Sequence, residues 1–408
     1  MSDIFNIVKT INQHSKKLLS FSEVQRKTAL KNLSEALLKN QKEILLANLK
    51  DLELAKTTNL SPALLERLSI TEKSILQLSN AGKTIAESKN LVGVIEESST
   101  RIDGLQIEKQ RIPLGVIALI FESRPNVLID AVQLAIKSGN ALILKGGKEA
   151  HHSNTILFNI VLKATEPILG KNIFHLLHDR EDIDALLKLN KYVDLVIPRG
   201  GEKLVQYVKS NTTIPVIAHD RGLCHLYIHE DADQKIVESV VINAKCHRFG
   251  VCNALESLLI HNNYPGTQNL LIILQKNNIE MRVSPDLLNS NTKPATPADY
   301  HEEWLAPIIS IKTVPSLNAA IDHIQIHGSR HTDGIISKSP KAIETFINHI
   351  DSSCIPINSS TRFNDGGELG LGAELGISTS KIHVYGPMGA KDMTTTRFIL
   401  RGDGHIRK

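Results

Sequence analysis

Short, uninterrupted apolar runs alternate with amphipathic stretches between residues 114 and 218. The runs are LGVIALIF, ALILKG, IFHLL, VDLVIP and IPVIA. Between them lie VLIDAVQLAIKSG, a stretch reaching to about residue 166, IDALLKLN and Gly201 to Ser210, whose apolar positions recur at helical spacing. Fully apolar strands separated by helices predict a parallel, doubly wound α/β sheet. Such sheets bind ligands in the loops at the carboxyl ends of their strands. Here those loops read ESRPN, KGGKE and PRGGE. No G-x-G-x-x-G follows a strand, so the usual dinucleotide fingerprint is missing.

Upstream, the pattern is helical. Ser22 with Gln25 makes a capping box before VQRKTALKNLSEALLKN, and Ser61 followed by Pro62 reads as an N-cap and first-turn proline. Ser99 to Arg111 alternates polar and apolar residues around Asp103-Gly104, which predicts a hairpin. A second α/β segment begins near Tyr227 and runs to about residue 372, with SNTKPATPAD as a surface loop inside it. The expected domains are therefore 1–98 with 112–226, rejoined by a return helix near 373–382, and 227–372. The 99–111 hairpin and the 383–408 tail, with its strand-like centre, bury themselves poorly. Pairing with a neighbouring subunit is the expectation for both.

A chain of 408 residues exceeds what one ordinary core serves, which agrees with two domains. The net charge of +4 comes from scattered Lys and Arg, and aromatics are only 4%, which argues against a nucleic-acid groove. The longest apolar run, Leu114 to Phe121, is too short to cross a bilayer, and the N-terminus lacks an export signal, so a cytoplasmic protein without membrane partners is expected. Cys224, Cys246, Cys252 and Cys354 show no C-x-x-C pairing, and the 17 histidines show no ligand spacing. No metal is expected.

One cysteine has the right company for chemistry. In VVINAKCHRFGVCNALESLLIH, Cys252 follows a helical run and precedes a strand, with Arg248 four residues upstream. Loop exposure and a nearby cation favour a reactive thiolate.

Four blocks extend this to the whole chain: IPLGVIALIFESRPNV, NALILKGGKEA, the cysteine segment, and INSSTRFNDGGELGLGAELGISTSKIHVYGPMG. In order and spacing they resemble the gamma-glutamyl phosphate reductases (glutamate-5-semialdehyde dehydrogenases) of the aldehyde dehydrogenase superfamily. The resemblance implies an aldehyde dehydrogenase-like fold with a cofactor domain, a catalytic domain and a small β oligomerisation element. It implies reduction of L-glutamyl 5-phosphate by NADPH to glutamate 5-semialdehyde, the second step of proline biosynthesis. It further implies a homo-oligomer, dimer or tetramer, with a glutamate 5-kinase as a possible partner.

The residue roles come from the same source. Cys252 matches the catalytic cysteine and Asn126 the oxyanion asparagine. Arg124, Arg248 and Arg362 are the candidates for holding the anionic substrate. Lys145 matches the lysine on the adenosine ribose, and Lys148 stands where NAD-preferring relatives carry a glutamate. Gly200 and Gly201 match the turn that admits the cofactor to a helix N-terminus. Glu303 matches the acid on the nicotinamide ribose. Two departures stand out: AHDRGLCH replaces a glycine-rich stretch, and KCHRFG brings Cys246 close to Cys252. The base used by hydrolytic aldehyde dehydrogenases falls at His219, beside Asp220, which favours a reductase over a hydrolytic enzyme. A non-catalytic scaffold would be expected to lack Cys252, Asn126 or GGELGLG, and all are present.

Overall fold

The computed structural model describes the chain except residues 1, 58, 59, 61, 219, 220 and 408. The expected cap at Ser61 and the residues His219 and Asp220 lie outside the described residues. The chain divides into two compact units. The first comprises 1–218, 370–376 and 388–408, and the second comprises 219–369 and 377–387.

In the first unit, helices lead. Ser22 caps Glu23–Lys39, accepting from the Gln25 N–H while the Gln25 side chain accepts from the Ser22 N–H. The central sheet has four parallel strands in the order β5-β4-β3-β6: β3 is Val116–Phe121, β4 Ala141–Lys145, β5 Phe174–Leu177 and β6 Leu195–Arg199. Every residue of β3 and β4 is buried, which is why their sequences are continuous apolar runs. β4 and β5 lie on one side of β3 and β6 on the other, so the winding reverses between β3 and β6, where open α/β sheets place their ligands. The apolar run IPVIA makes only an isolated bridge, Val216 to Val196. Pro215 has no N–H to give a ladder, which limits that segment to scattered bonds.

The Asp103-Gly104 hairpin forms: β1 (Ile95–Thr100) pairs antiparallel with β2 (Gln106–Pro113). The tail strand Thr394–Arg401 pairs with β2 of its own chain, from Thr394 opposite Pro113 to Arg401 opposite Gln106. This corrects the expectation that the tail joins a neighbour's hairpin. The cause is local anchoring. Buried Asn140 accepts from the Gly115 N–H and donates to the Met393 carbonyl, fixing the tail beside β2 just before its strand begins.

In the second unit, six parallel strands run in the order β10-β9-β11-β8-β7-β12. They are β7 Cys224–Ile228, β8 Leu255–His261, β9 Glu280–Val283, β10 Lys293–Pro294, β11 Ile308–Val314 and β12 Asp333–Ile336. The strand beginning at Cys224 belongs to this unit, so the second sheet starts a few residues before the expected 227. The segment 373–382 holds no helix, contrary to expectation. The Ser378 and Ser380 hydroxyls accept from the N–H groups of Ser380 and Ile382, a local alternative to helical bonding, and Ile377–Ser378 pairs as a short strand with Gly386–Pro387.

Candidate active site

The helix Gln234–Cys246 is capped by Asp233, whose carboxylate accepts from the N–H groups of Lys235 and Ile236. β8 then begins at Leu255, and the loop between them carries Arg248 and half-buried Cys252. Three contacts shape this loop. Gly222 lies against it so closely that a Cβ there would stand 2.1 Å from the Cys252 carbonyl oxygen and 2.6 Å from its Cα. The Cys224 thiol donates to that same carbonyl at 3.1 Å. The buried Asn253 carboxamide donates to the carbonyls of Asn364 (2.9 Å) and Arg362 (3.3 Å), while the Thr361 hydroxyl donates back to the Asn253 carbonyl at 2.7 Å.

That stitching brings the turn Thr361–Phe363 to the loop that holds Cys252. Burial pushes the Arg362 guanidinium down; Asp365 and then the Cys252 thiol favour its charge, and Arg248 opposes it. Cys252, Arg248 and Arg362 thus share one electrostatic neighbourhood. The Arg362 Nε is buried and has no hydrogen-bond acceptor in the structure.

In the first unit, the carboxyl edge gathers the other candidates. The loop after β3 holds Arg124, with Asn126 opening the helix Asn126–Ser138. The loop after β4 holds Lys148, and that after β6 holds Gly200 and Gly201. Glu122 accepts from the Gly201 N–H at the start of the helix Glu202–Asn211. Ser123, with φ 46°, gives both its N–H and its hydroxyl to Glu149. A strained residue held by two bonds at this edge is typical of a binding site. Lys145 is buried at the end of β4 and donates to the Gly146 carbonyl. Burial pushes its ammonium down and Glu149 opposes that. Lys148 is exposed. The Asn126 Oδ1 has no partner.

Residues 2–292 match the sequence profile of the Aldehyde dehydrogenase family. A gamma-glutamyl phosphate reductase of Nautilia profundicola is 46% identical over 392 residues, covering 95% of each chain. One from Francisella philomiragia is 44% identical over 99% of each. The crystal structure of gamma-glutamyl phosphate reductase from Thermotoga maritima superposes with a TM-score of 0.94 at 35% identity, covering 100% of both chains. This chain belongs to the gamma-glutamyl phosphate reductase family of the aldehyde dehydrogenases. The fold is shared more widely: an acetylating aldehyde dehydrogenase of Geobacillus thermoglucosidasius matches with a TM-score of 0.75 at 17% identity, over 100% of this chain and 98% of that one.

Within the family frame, the four cysteines differ in kind. Burial pushes the thiols of Cys224, Cys246 and Cys354 up, toward the inert protonated form. Cys224 is fully buried and donates to the Cys252 carbonyl. Glu303 lies in the second unit, beside Trp304. The Trp304 Nε1–H donates to the Ser310 hydroxyl at 3.1 Å, and the Arg282 guanidinium lies over its ring at 5.4 Å. Asn253, Thr361 and Gly222 were not singled out by sequence. Asn253 directly follows Cys252, whereas Thr361 and Gly222 carry no local signal because their partners lie far along the chain.

The Gly222 contact yields a direct test. Gly222→Ala should leave the fold intact by circular dichroism, because only a loop is crowded. The added methyl must displace the Cys252 backbone, and a shift of about 1 Å can cost about a hundredfold in rate. Turnover and the iodoacetamide reactivity of Cys252 should therefore both change. Wild-type values for both would show that the loop tolerates the methyl and that its close approach is not functional.

Proposed function

We infer that this chain is an oxidoreductase that reduces L-glutamyl 5-phosphate to L-glutamate 5-semialdehyde with release of phosphate, in proline biosynthesis. The observation that carries this reading is a loop cysteine sharing its neighbourhood with two guanidinium groups, in a chain that matches the family along its length. An acyl phosphate is an anion with a good leaving group. The Cys252 thiolate attacks its carbonyl carbon, the C–O bond to phosphate breaks, and a thioester remains on the enzyme. Arg362, with its undonated Nε–H, and Arg248 hold the departing phosphate or the substrate carboxylate, a task suited to the planar donor fork of arginine. Arg124 is assigned to the same anionic substrate by resemblance. Reduction of the thioester gives a thiohemiacetal that collapses to the aldehyde and frees the thiolate. The oxyanion formed at each stage takes donors from the Asn126 carboxamide and the Cys252 backbone N–H.

A nicotinamide cofactor supplies the hydride when bound, and the carboxyl edge of the first unit fits a dinucleotide phosphate. It offers the ammonium of Lys145 and the exposed ammonium of Lys148, and Gly200 and Gly201, assigned to the cofactor by resemblance, precede the helix Glu202–Asn211, where Glu122 holds the Gly201 N–H. We assign Lys145 and Lys148 to the adenosine ribose side and Glu303 to the nicotinamide ribose, with NADP(H) preferred because Lys148 is a cation where a 2′-phosphate would lie. No helix among the described residues is long and apolar enough to cross a membrane. A cytoplasmic homo-oligomer receiving its substrate from a glutamate 5-kinase completes the proposal. Exposed Phe398 and Leu400 on the tail strand support a partner surface there.

The reaction is tested in reverse. With glutamate semialdehyde and NADP, steady turnover should require phosphate absolutely, because phosphate is the only acceptor of the acyl group. Sustained NADPH formation without phosphate would mean that water accepts it and the enzyme is hydrolytic.

Cofactor choice is tested at Lys148. An ammonium about 4 Å from a 2′-phosphate contributes roughly 1–4 kcal/mol before desolvation. A net preference of about 1–2 kcal/mol, roughly five- to thirtyfold in Kd, is expected. Lys148→Glu should weaken NADPH binding and leave NADH binding nearly unchanged. Equal loss of both, or no wild-type preference, would reduce Lys148 to a solvated loop residue.

A further inference from the structure

Two opposite charges flank the nucleophile loop and lie wholly inside the second unit. Lys245 is on the last turn of the helix Gln234–Cys246, and Glu256 is the second residue of β8; both are 0% exposed, and Lys245 Nζ meets Glu256 Oε2 at 2.7 Å. The pair therefore closes the base of the loop that carries Cys252. The other carboxylate oxygen is also engaged. Glu256 Oε1 accepts from the Leu305 N–H at 3.3 Å, two residues after Glu303. Leu305 sits at φ 47°, a left-handed conformation that a leucine adopts only under constraint. The reach of Glu256 to the segment around Glu303 is electrostatic as well, since the Glu303 charge disfavours a second one at Glu256.

We propose that the Lys245–Glu256 pair is a positioning device, in which one carboxylate fastens the base of the nucleophile loop and holds the Glu303–Leu305 segment in its strained turn. The inference rests on the reading of Glu303 as the residue on the nicotinamide ribose, and it makes the Glu256 oxygen that accepts from the Leu305 N–H set that residue's position. Two physical facts favour a positioning role over simple cohesion. A buried ion pair is a weak source of stability, often replaceable by apolar side chains without loss. Burial pushes Glu256 up to about 7 and Lys245 down, so each needs the other to stay charged. Leucine at 256 would fill the space and offer nothing to the Leu305 N–H.

Trp304, the single tryptophan of the chain, lies between Glu303 and Leu305 and reports on the segment directly. Two double variants separate packing from positioning: Lys245→Met with Glu256→Leu, and Lys245→Met with Glu256→Gln. Both remove the charges, but only glutamine keeps an oxygen that can accept from the Leu305 N–H. Single variants would leave one buried charge unpaired and could fail to fold, so the doubles are compared, with thermal unfolding as the check. The Leu double should shift Trp304 emission and raise its iodide quenching. It should also raise KM for NADPH by about ten- to a hundredfold, with KM for the acyl substrate changed much less. The Gln double should keep wild-type emission and KM. Wild-type behaviour of both doubles, or equal damage in both, would overturn the proposal. Emission is read without cofactor or substrate, so a wild-type protein that failed to turn over would count against the reaction and leave the test of the pair intact.

Discussion

The loop from His247 to Ala254, which holds the proposed nucleophile, has no helix or ladder of its own, and one buried carboxamide ties it to the turn that carries Arg362. Asn253 donates to two carbonyls of the turn that carries Arg362, and Thr361 returns a bond to the Asn253 backbone. A buried amide left without those acceptors would cost about 1–3 kcal/mol for each unmade bond. The arrangement therefore holds the thiol and the guanidinium in one neighbourhood as a consequence of polar satisfaction. Gly222 and the Cys224 thiol both contact the carbonyl of the preceding residue, Cys252.

Parallel sheets supply the rest of the placement. Their strands must be buried on both faces, which sends polar side chains into the loops at the strand ends. In the first unit this gathers Arg124, Asn126, Lys148, Gly200 and Gly201 at one edge, where Glu122 and Glu149 tie adjacent loops together. In the second unit, the helix before Cys252 and the strand after it are ordinary elements, and only the connection between them is unusual. The candidate residues therefore sit on short irregular segments between regular helices and strands.

Much of this was legible in the sequence because it is local. The capping box at Ser22, the Asp103-Gly104 hairpin and the buried strands each follow from residues a few positions apart. The cysteine loop was legible from a thiol and an arginine between a helical and a strand-like run. What escaped depends on long-range pairing. Asn253 and Thr361 are 108 positions apart, and Lys245 meets Glu256 only because a helix and a strand return to the same place. The tail was misjudged for the same reason, since Asn140 anchors Met393 across 253 positions. The return helix near 373–382 failed on local grounds, where the Ser378 and Ser380 hydroxyls accept from backbone N–H groups that a helix would use.

The central claim is that the acyl group passes through a covalent bond to Cys252. Mixing the enzyme with NADP and glutamate semialdehyde in the absence of phosphate tests it most directly. The account predicts a burst of NADPH stoichiometric with enzyme, and mass spectrometry should then find a glutamyl thioester on the peptide carrying Cys252 that disappears when phosphate is added. A burst with the adduct on Cys246 or Cys224, or NADPH formed with no adduct on Cys252, would contradict it.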